Sequence, residues 1–329
     1  MFDQKIKKKV IDYSLLDLTP SPKGLERIQY QTIGQLIAKA RIERKPLIVV
    51  EGKDDVSVYE QLAKKAQVKA NVRAIETIPG YAEGCFHVKS FIENSQVEIK
   101  KSPINQKFLL GVIDRDAIYF RKEIKKRTKC LFILNSYSFE SHYVTKSHIS
   151  YALEQFLLSS FGINDKVINY IYKHFENKIE DLFYLSVESL KNACRKNYNG
   201  ILGYSASYGQ IKTNPQLIEQ VLSKKDTLDS YAKMRNITHK DISIIKGKWL
   251  IDAFVDITFE KIKELSDNCI NDKTIYGQER CVFCSNNIQN KCYWHPKKNH
   301  TDIMLRNLYL QYINDNEVYY IVDRFKKLG

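Results

Sequence analysis

Two short stretches put carboxylates where a strand should end. In LIVVEGKDD, residues 47–55, four apolar residues run into Glu51 and Gly52, and Asp55 follows four positions after the glutamate. In FLLGVIDRD, residues 108–116, an apolar run ends in Asp114 and Asp116. Side chains two apart on extended backbone point the same way, so both aspartates can face one ion, and Gly52 permits a sharp turn directly after Glu51. Carboxylates gathered without counter-charge resist ionising together. A divalent ion that favours hard oxygen ligands, Mg²⁺ or Mn²⁺, removes that cost. Such ions clamp phosphodiesters, activate water and stabilise a leaving oxygen. Taken singly, each motif has a plainer account: Glu51 and Asp55 capping a helix, and Asp-Arg-Asp forming a loop ion pair. Both at strand ends, in order, favour a metal site. Glu140 in SYSFESHYV can add a carboxylate to the same rim, or face solvent at a helix start. In IIKGKWL, Lys246 and Lys248 frame a glycine. Lys248 is the candidate cation for a transition-state phosphorane, although a solvated lysine is the plainer account.

A second constellation is Cys281-Val-Phe-Cys284 followed by Cys292-Tyr-Trp-His295. Three of the seven cysteines crowd into this segment, which in a reducing compartment points to a metal rather than to bridges. Three thiolates and an imidazole make a closed tetrahedral set for structural Zn²⁺, with His300 as a substitute ligand. A closed set leaves no position for water, so this zinc is expected to brace the fold.

Charge decides what the acidic strand ends would meet. Lys and Arg number 52 against 38 Asp and Glu, a net charge of +14, which favours a polyanionic partner: nucleic acid first, anionic membrane second. The stretch RKEIKKRTK, residues 121–129, follows the Asp-Arg-Asp motif directly. Its Arg121, Lys122, Lys125, Lys126, Arg127 and Lys129 are candidates for tracking phosphates, against the plain account of a solvated charged face. Tyr119 and Phe120 beside them are either base-stacking rings or core.

The elements that must position these groups read as an alternation. An amphipathic helix at 24–43 precedes strands at 47–50, 71–77, 108–113 and 130–134, with helices at 55–66 and 85–95 and a glycine turn at 79–84. That pattern predicts α/β architecture with a mainly parallel sheet flanked by helices. From about residue 146 helical periodicity takes over, through to NEVYYIVDRFKKL near the end. The expected division is an N-terminal helical segment at 1–44, a catalytic domain at 45–145, and a helical domain at 146–329 carrying the cysteine insertion at about 275–300. No run approaches the roughly 18 apolar residues of a membrane span. The basic N-terminus lacks the apolar region of a signal peptide, so a soluble cytoplasmic protein is expected. There is no GxxxxGK[ST] motif, so ATP hydrolysis would have to come from a partner.

VVEGKDD followed by VIDRD resembles the Toprim domain of topoisomerases, bacterial primases, ribosomal-RNA maturases and OLD-family nucleases, over roughly residues 45–145. That resemblance implies Glu51 as general acid/base or metal ligand and Asp114 and Asp116 as Mg²⁺ ligands. The acid at Asp55 is similar to the OLD-like nuclease variant, and that family also uses a lysine in the manner considered for Lys248. The single Toprim-like domain, PGYAEG, SYSFESHYV and KGKWLIDAF are similar to the Toprim effector nucleases of the PARIS kind in prokaryotic anti-phage defence. The family implies a partner ATPase that silences the nuclease until phage infection, tRNA as target, and often a homodimer. The alternatives are a DNA-cleaving OLD-like nuclease, a strand-transferase or primase-like enzyme, and a non-catalytic nucleic-acid or partner-binding module.

Overall fold

Leu47–Val50 and Leu109–Ile113 are buried along their whole length, which is why they read as continuous apolar runs rather than alternating ones. The computed structural model describes residues 32–329 apart from 126, 276, 298 and 299. The first half runs α1 (Ile33–Ile42), β1 (Leu47–Val50), α2 (Lys53–Lys65), β2 (Asn71–Ala74), α3 (Cys85–Asn94), α4 (Gln96–Lys101), β3 (Leu109–Ile113), α5 (Ala117–Phe120) and β4 (Leu131–Ile133). Helices follow: α6 (Lys146–Phe156), α7 (Asp165–Cys194), α8 (Tyr208–Lys212), α9 (Pro215–Leu222), α10 (Lys225–Met234) and α11 (Gly247–Ile270). The chain closes with α12 (Val282–Ser285), α13 (Asp302–Gln311) and α14 (Asp315–Lys326).

The four strands form one parallel sheet in the order β2-β1-β3-β4. The expected strand at 71–77 stops at Ala74 and turns into a 3₁₀ segment, Ile75–Thr77. There the Thr77 hydroxyl donates to the Ala74 carbonyl and the Arg73 guanidinium donates to the Thr77 carbonyl, so side chains take over from the ladder. Of the amphipathic helix expected at 24–43, the described part is α1. Its start is set by Thr32, whose side chain caps the helix in a reciprocal capping box with Gln35. The remainder of that helix, and most of the 1–44 segment, lies outside the described residues.

Alternate side chains send the sheet into two cores. Leu47, Val49, Leu109 and Ile113 pack with α1, α3 and α4 through Leu36, Phe91, Ile92 and Ile99. Gly111 in β3 is required by this packing, since a Cβ there would lie 2.5 Å from Ile92 Cγ1 and 3.0 Å from Val88 Cγ1. Ile48, Val50, Leu110 and Val112 face the other way, into an apolar core that continues through α2 into the helical half. The change of character near 145 falls at Thr145, the N-cap of α6, but one core spans both sides of it. α7 is capped by Asn164 and buried on every side from Leu182 to Lys191, where α10, α11 and the sheet side surround it. No helix among the described residues is long and apolar enough to cross a membrane.

Candidate active site

Strand order fixes where a ligand can enter. From β1 the chain crosses outward to β2, and from β3 it crosses to β4 on the opposite side, so the connections diverge between β1 and β3. Parallel sheets open a crevice beyond the strand ends at such a switch point. Glu51 is the first residue after β1 and Asp114 the first after β3. The Asp114 backbone N–H donates to Glu51 Oε1 at 2.7 Å, joining the two strand ends through the carboxylate itself. The Glu51 carbonyl accepts from Gly84 N at 3.0 Å, tying in the glycine turn. Asp55 closes the first turn of α2, accepting from Gly52 N at 3.1 Å, so it caps a helix and also lines the crevice. Asp116 caps α5, accepting from Ile118 N at 2.9 Å, while its other oxygen meets the Cys85 thiol at 3.3 Å.

The facing wall comes from the turn after β4 and the start of α11. Ser138 donates its hydroxyl to Glu140 Oε2, and Gly247 packs directly on this pair: a Cβ at 247 would overlap Ser138 Oγ and lie 3.1 Å from Glu140 Oε2. His142 pins the turn from behind, donating from Nδ1 to the Phe139 carbonyl at 2.7 Å and accepting at Nε2 from the Tyr320 hydroxyl at 3.0 Å. Burial holds this imidazole below its ordinary pKa, which keeps it neutral for both bonds. The two lysines separate in role. Lys246 spends its ammonium on the carbonyls of Tyr204 and Ala206, at 2.6 and 3.2 Å. Lys248 is exposed on the cleft wall, near enough to Asp55 to lower that carboxyl's pKa.

The resulting cleft has a volume of about 610 Å³ and is lined by Glu51, Asp55, Asp114, Glu140 and Lys248. Glu83 also lines it and is exposed. In PGYAEG the glycines signal the turn, and nothing local marks Glu83 as a cleft residue, because the bond from Gly84 N to the Glu51 carbonyl that brings it there is tertiary. Asp116 stands behind the lining rather than in it.

The electrostatics are those of an uncompensated acid cluster. Burial, then the charges of Asp116 and Asp55, raise Glu51 to about 8 against the backbone bond from Asp114. Burial, then Glu140 and Asp54, raise Asp55 to about 6 despite Gly52 N–H and Lys248. Asp114 is also pushed well up, by burial and then by Glu51. None of Glu51, Asp55, Asp114, Asp116 and Glu140 forms an ion pair with a described cation. Hard oxygen donors with unmet charge suit a dication. Their oxygens do not, however, gather as tightly as ligands around one ion: among the described residues, the group whose ligand atoms all lie within 4.8 Å is made of cysteines.

That group corrects the expected zinc set. The four thiols are Cys269, Cys281, Cys284 and Cys292, all buried. His295 is exposed and lies outside it. Its carbonyl accepts from Leu158 N at 3.0 Å beside the antiparallel bridge between Leu157 and Pro296, which turns the imidazole away. His300, the substitute, instead packs edge-on against Phe156 at 4.5 Å. Cys269, set apart by sequence, is the penultimate residue of α11. Backbone N–H groups of Cys281 and Cys284 point at Cys269 Sγ (3.3 Å) and Cys281 Sγ (3.5 Å). Burial raises Cys284 to about 11, whereas at Cys281 burial is outweighed by the N–H groups of Cys284 and Tyr293, bringing it to about 7. Four buried thiols at this spacing can hold a structural metal such as zinc.

The basic stretch after β4's partner helix α5 is exposed at Arg121, Lys122, Lys125, Arg127 and Lys129; Lys126 lies outside the described residues. Arg121 pairs with Glu123 at 2.6 Å and Lys125 approaches Glu93 at 3.8 Å. Phe120 is core at 8% exposure, whereas Tyr119 is 41% exposed with the Arg115 guanidinium 4.6 Å over its ring. No protein-family model matches the chain, and no curated protein matches it.

Proposed function

We propose that the chain is a divalent-cation-dependent phosphodiesterase of the Toprim kind that cleaves nucleic acid. The observation that carries the reading is the hydrogen-bonded pair of strand ends at the β1/β3 switch point, where Glu51 and Asp114 hold carboxylates with no described counter-ion. Glu51, Asp55, Asp114 and Glu140 would hold Mg²⁺ or Mn²⁺, with Asp116 ordering the loop through α5 and Cys85. Bound there, the cation would supply charge neutralisation and a more acidic water for attack on phosphorus. Glu51 would accept or return the proton at the strand-end crevice, and Lys248 would face the charge that builds on the phosphoryl oxygens. By resemblance, the substrate is tRNA or another RNA. The same resemblance makes the chain a defence effector held silent by a partner ATPase and working as a dimer. A non-catalytic nucleic-acid-binding or partner-binding module is the second reading, favoured by the looseness of the carboxylate group, which gathers less tightly than ligands around one ion.

The test expresses the wild type beside Glu51→Ala and compares host growth and the integrity of total RNA and DNA with Mg²⁺ present. Small-RNA fragments from the wild type alone support the RNA-cleaving effector, and cut plasmid redirects the substrate to DNA. Intact nucleic acid with both proteins, even after adding a neighbouring ATPase and phage, leaves the binding module.

A further inference from the structure

Beyond Phe120, the chain forms one wall of a second hollow, of about 550 Å³, whose other wall is the end of α7 and the loop after it. Five cations line it, Arg121, Lys122, Arg195, Lys196 and Arg235, against one carboxylate, Glu123, already held by Arg121. Lys122 and Lys196 are exposed, and neither forms an ion pair with a described carboxylate. The hollow is built rather than a chance meeting of surface side chains. Arg235 donates to the Phe120 carbonyl at 2.9 Å, and Arg195 and Arg235 both lie 5.4 Å over the Tyr231 ring. Behind them the fully buried Glu188 accepts from the Tyr198 hydroxyl (2.6 Å), Ile201 N (2.8 Å) and Lys224 (2.9 Å), fixing the loop that carries Arg195 and Lys196.

Its position gives it a use. Asp116 is the N-cap of α5 and Arg121 its C-cap, five residues on (121 − 116), so about 7.5 Å of helix rise separates the strand-end acids from the cationic group. Asp116 is among the charges acting on Arg121. We propose that this hollow grips the phosphodiester backbone of a nucleic-acid strand leading to the acidic cleft, the helical half supplying Arg195, Lys196 and Arg235 opposite Arg121 and Lys122. The hollow's five cations outnumber the apolar side chains Phe120, Ala193 and Cys194 in the lining, which suits a run of phosphates better than a small ligand held by apolar walls, and a membrane would need a flat face. The direction of the strand rests on the phosphodiesterase reading; the binding itself does not.

The test measures fluorescence anisotropy of fluorescein-labelled oligouridylate and oligothymidylate, each about 20 nucleotides, in EDTA across a KCl series. Lys122→Gln/Lys196→Gln is expected to weaken binding at least about tenfold at low salt. It should also flatten the plot of log affinity against log salt by about 1.4, two phosphate contacts at about 0.7 each. Lys122→Arg/Lys196→Arg should restore both values, and the pair Lys100→Gln/Lys273→Gln, outside the lining of the hollow, should change neither. Failure of the wild type to bind either oligonucleotide overturns the proposal, as does equal binding by the Lys122/Lys196 and Lys100/Lys273 glutamine pairs. In that second case, Mg²⁺-dependent cleavage abolished by Glu51→Gln keeps the phosphodiesterase and discards the hollow. Weakened binding by a protein that cuts nothing keeps the hollow and discards the phosphodiesterase.

Discussion

Glu51 pays for its position in proton affinity. Its carboxyl ionises near 4.5 in the unfolded chain but only near 8 in the fold, and Asp55 moves from 3.8 to about 6. Between those values the folded state holds the extra protons, so these groups favour the fold at low pH and cost stability as pH rises towards 8. The metal-free melting temperature should therefore drop between pH 5 and pH 8 by an amount that Glu51→Gln removes. At pH 8 in EDTA that variant should be more stable by about 1–3 kcal/mol, since glutamine keeps an acceptor for Asp114 N–H without the charge. Added Mg²⁺ should raise the wild-type melting temperature at pH 8 more than the variant's, which keeps Asp55, Asp114 and Glu140, while the variant loses cleavage. Thermal melts with and without Mg²⁺ check both; a variant no more stable than the wild type would mean that the burial is relieved by water. The lysines offer a second comparison. Lys248→Ala should leave stability within about 0.5 kcal/mol yet depress cleavage, whereas Lys246→Ala, which orphans the Tyr204 carbonyl and leaves Ala206 O only the Trp249 indole, should cost about 1–2 kcal/mol in denaturant melts.

At the scale of elements, the cleft exists because α11 starts against the turn after β4. Gly247→Ala drives a methyl into Ser138 Oγ and towards Glu140, so either the helix or the turn must shift. A loss of about 1–3 kcal/mol is expected, with cleavage falling further than stability alone explains because Glu140 leaves its place. Urea denaturation alongside activity at a temperature where the variant is folded separates the two effects. Much of this level was legible: the strands at 47–50 and 108–113 show themselves through apolar runs too short and too β-branched for helices, and α14 through its periodicity. The early stop of β2 was not, because Thr77 bonds that end the ladder leave no mark on the hydrophobic pattern.

Across the whole molecule, the thiol group and the acidic cleft mark opposite ends of α11. Lys248 and Cys269 are 21 residues apart on one helix (269 − 248), about 32 Å. Metal at the thiols would therefore act on the fold, holding α11 to the 281–292 segment, beside which Trp294 is buried with its indole donating to the Glu279 carbonyl at 3.0 Å. Purified protein should carry about one zinc per chain. Cys269→Ser should lose most of it and lower the melting temperature, while His295→Ala should keep both. Metal analysis with melts decides: retained zinc in Cys269→Ser with loss in His295→Ala would restore the histidine as ligand.

The sequence by itself determined the parallel strands, the acids at their ends and the CxxC pair, because these depend on neighbours within a few residues: apolar runs, two-residue alternation, the turn at Gly52. Tertiary structure alone decided what converged from afar. Cys269 takes the place of His295 because a long helix delivers it and a backbone bridge turns the histidine out. Asp116 is brought to a thiol from α3 and an N–H from α5, off the lining of the cleft. Arg195, Lys196 and Arg235 face Arg121 because one apolar core, running from the sheet through α7, leaves the two halves no freedom to part.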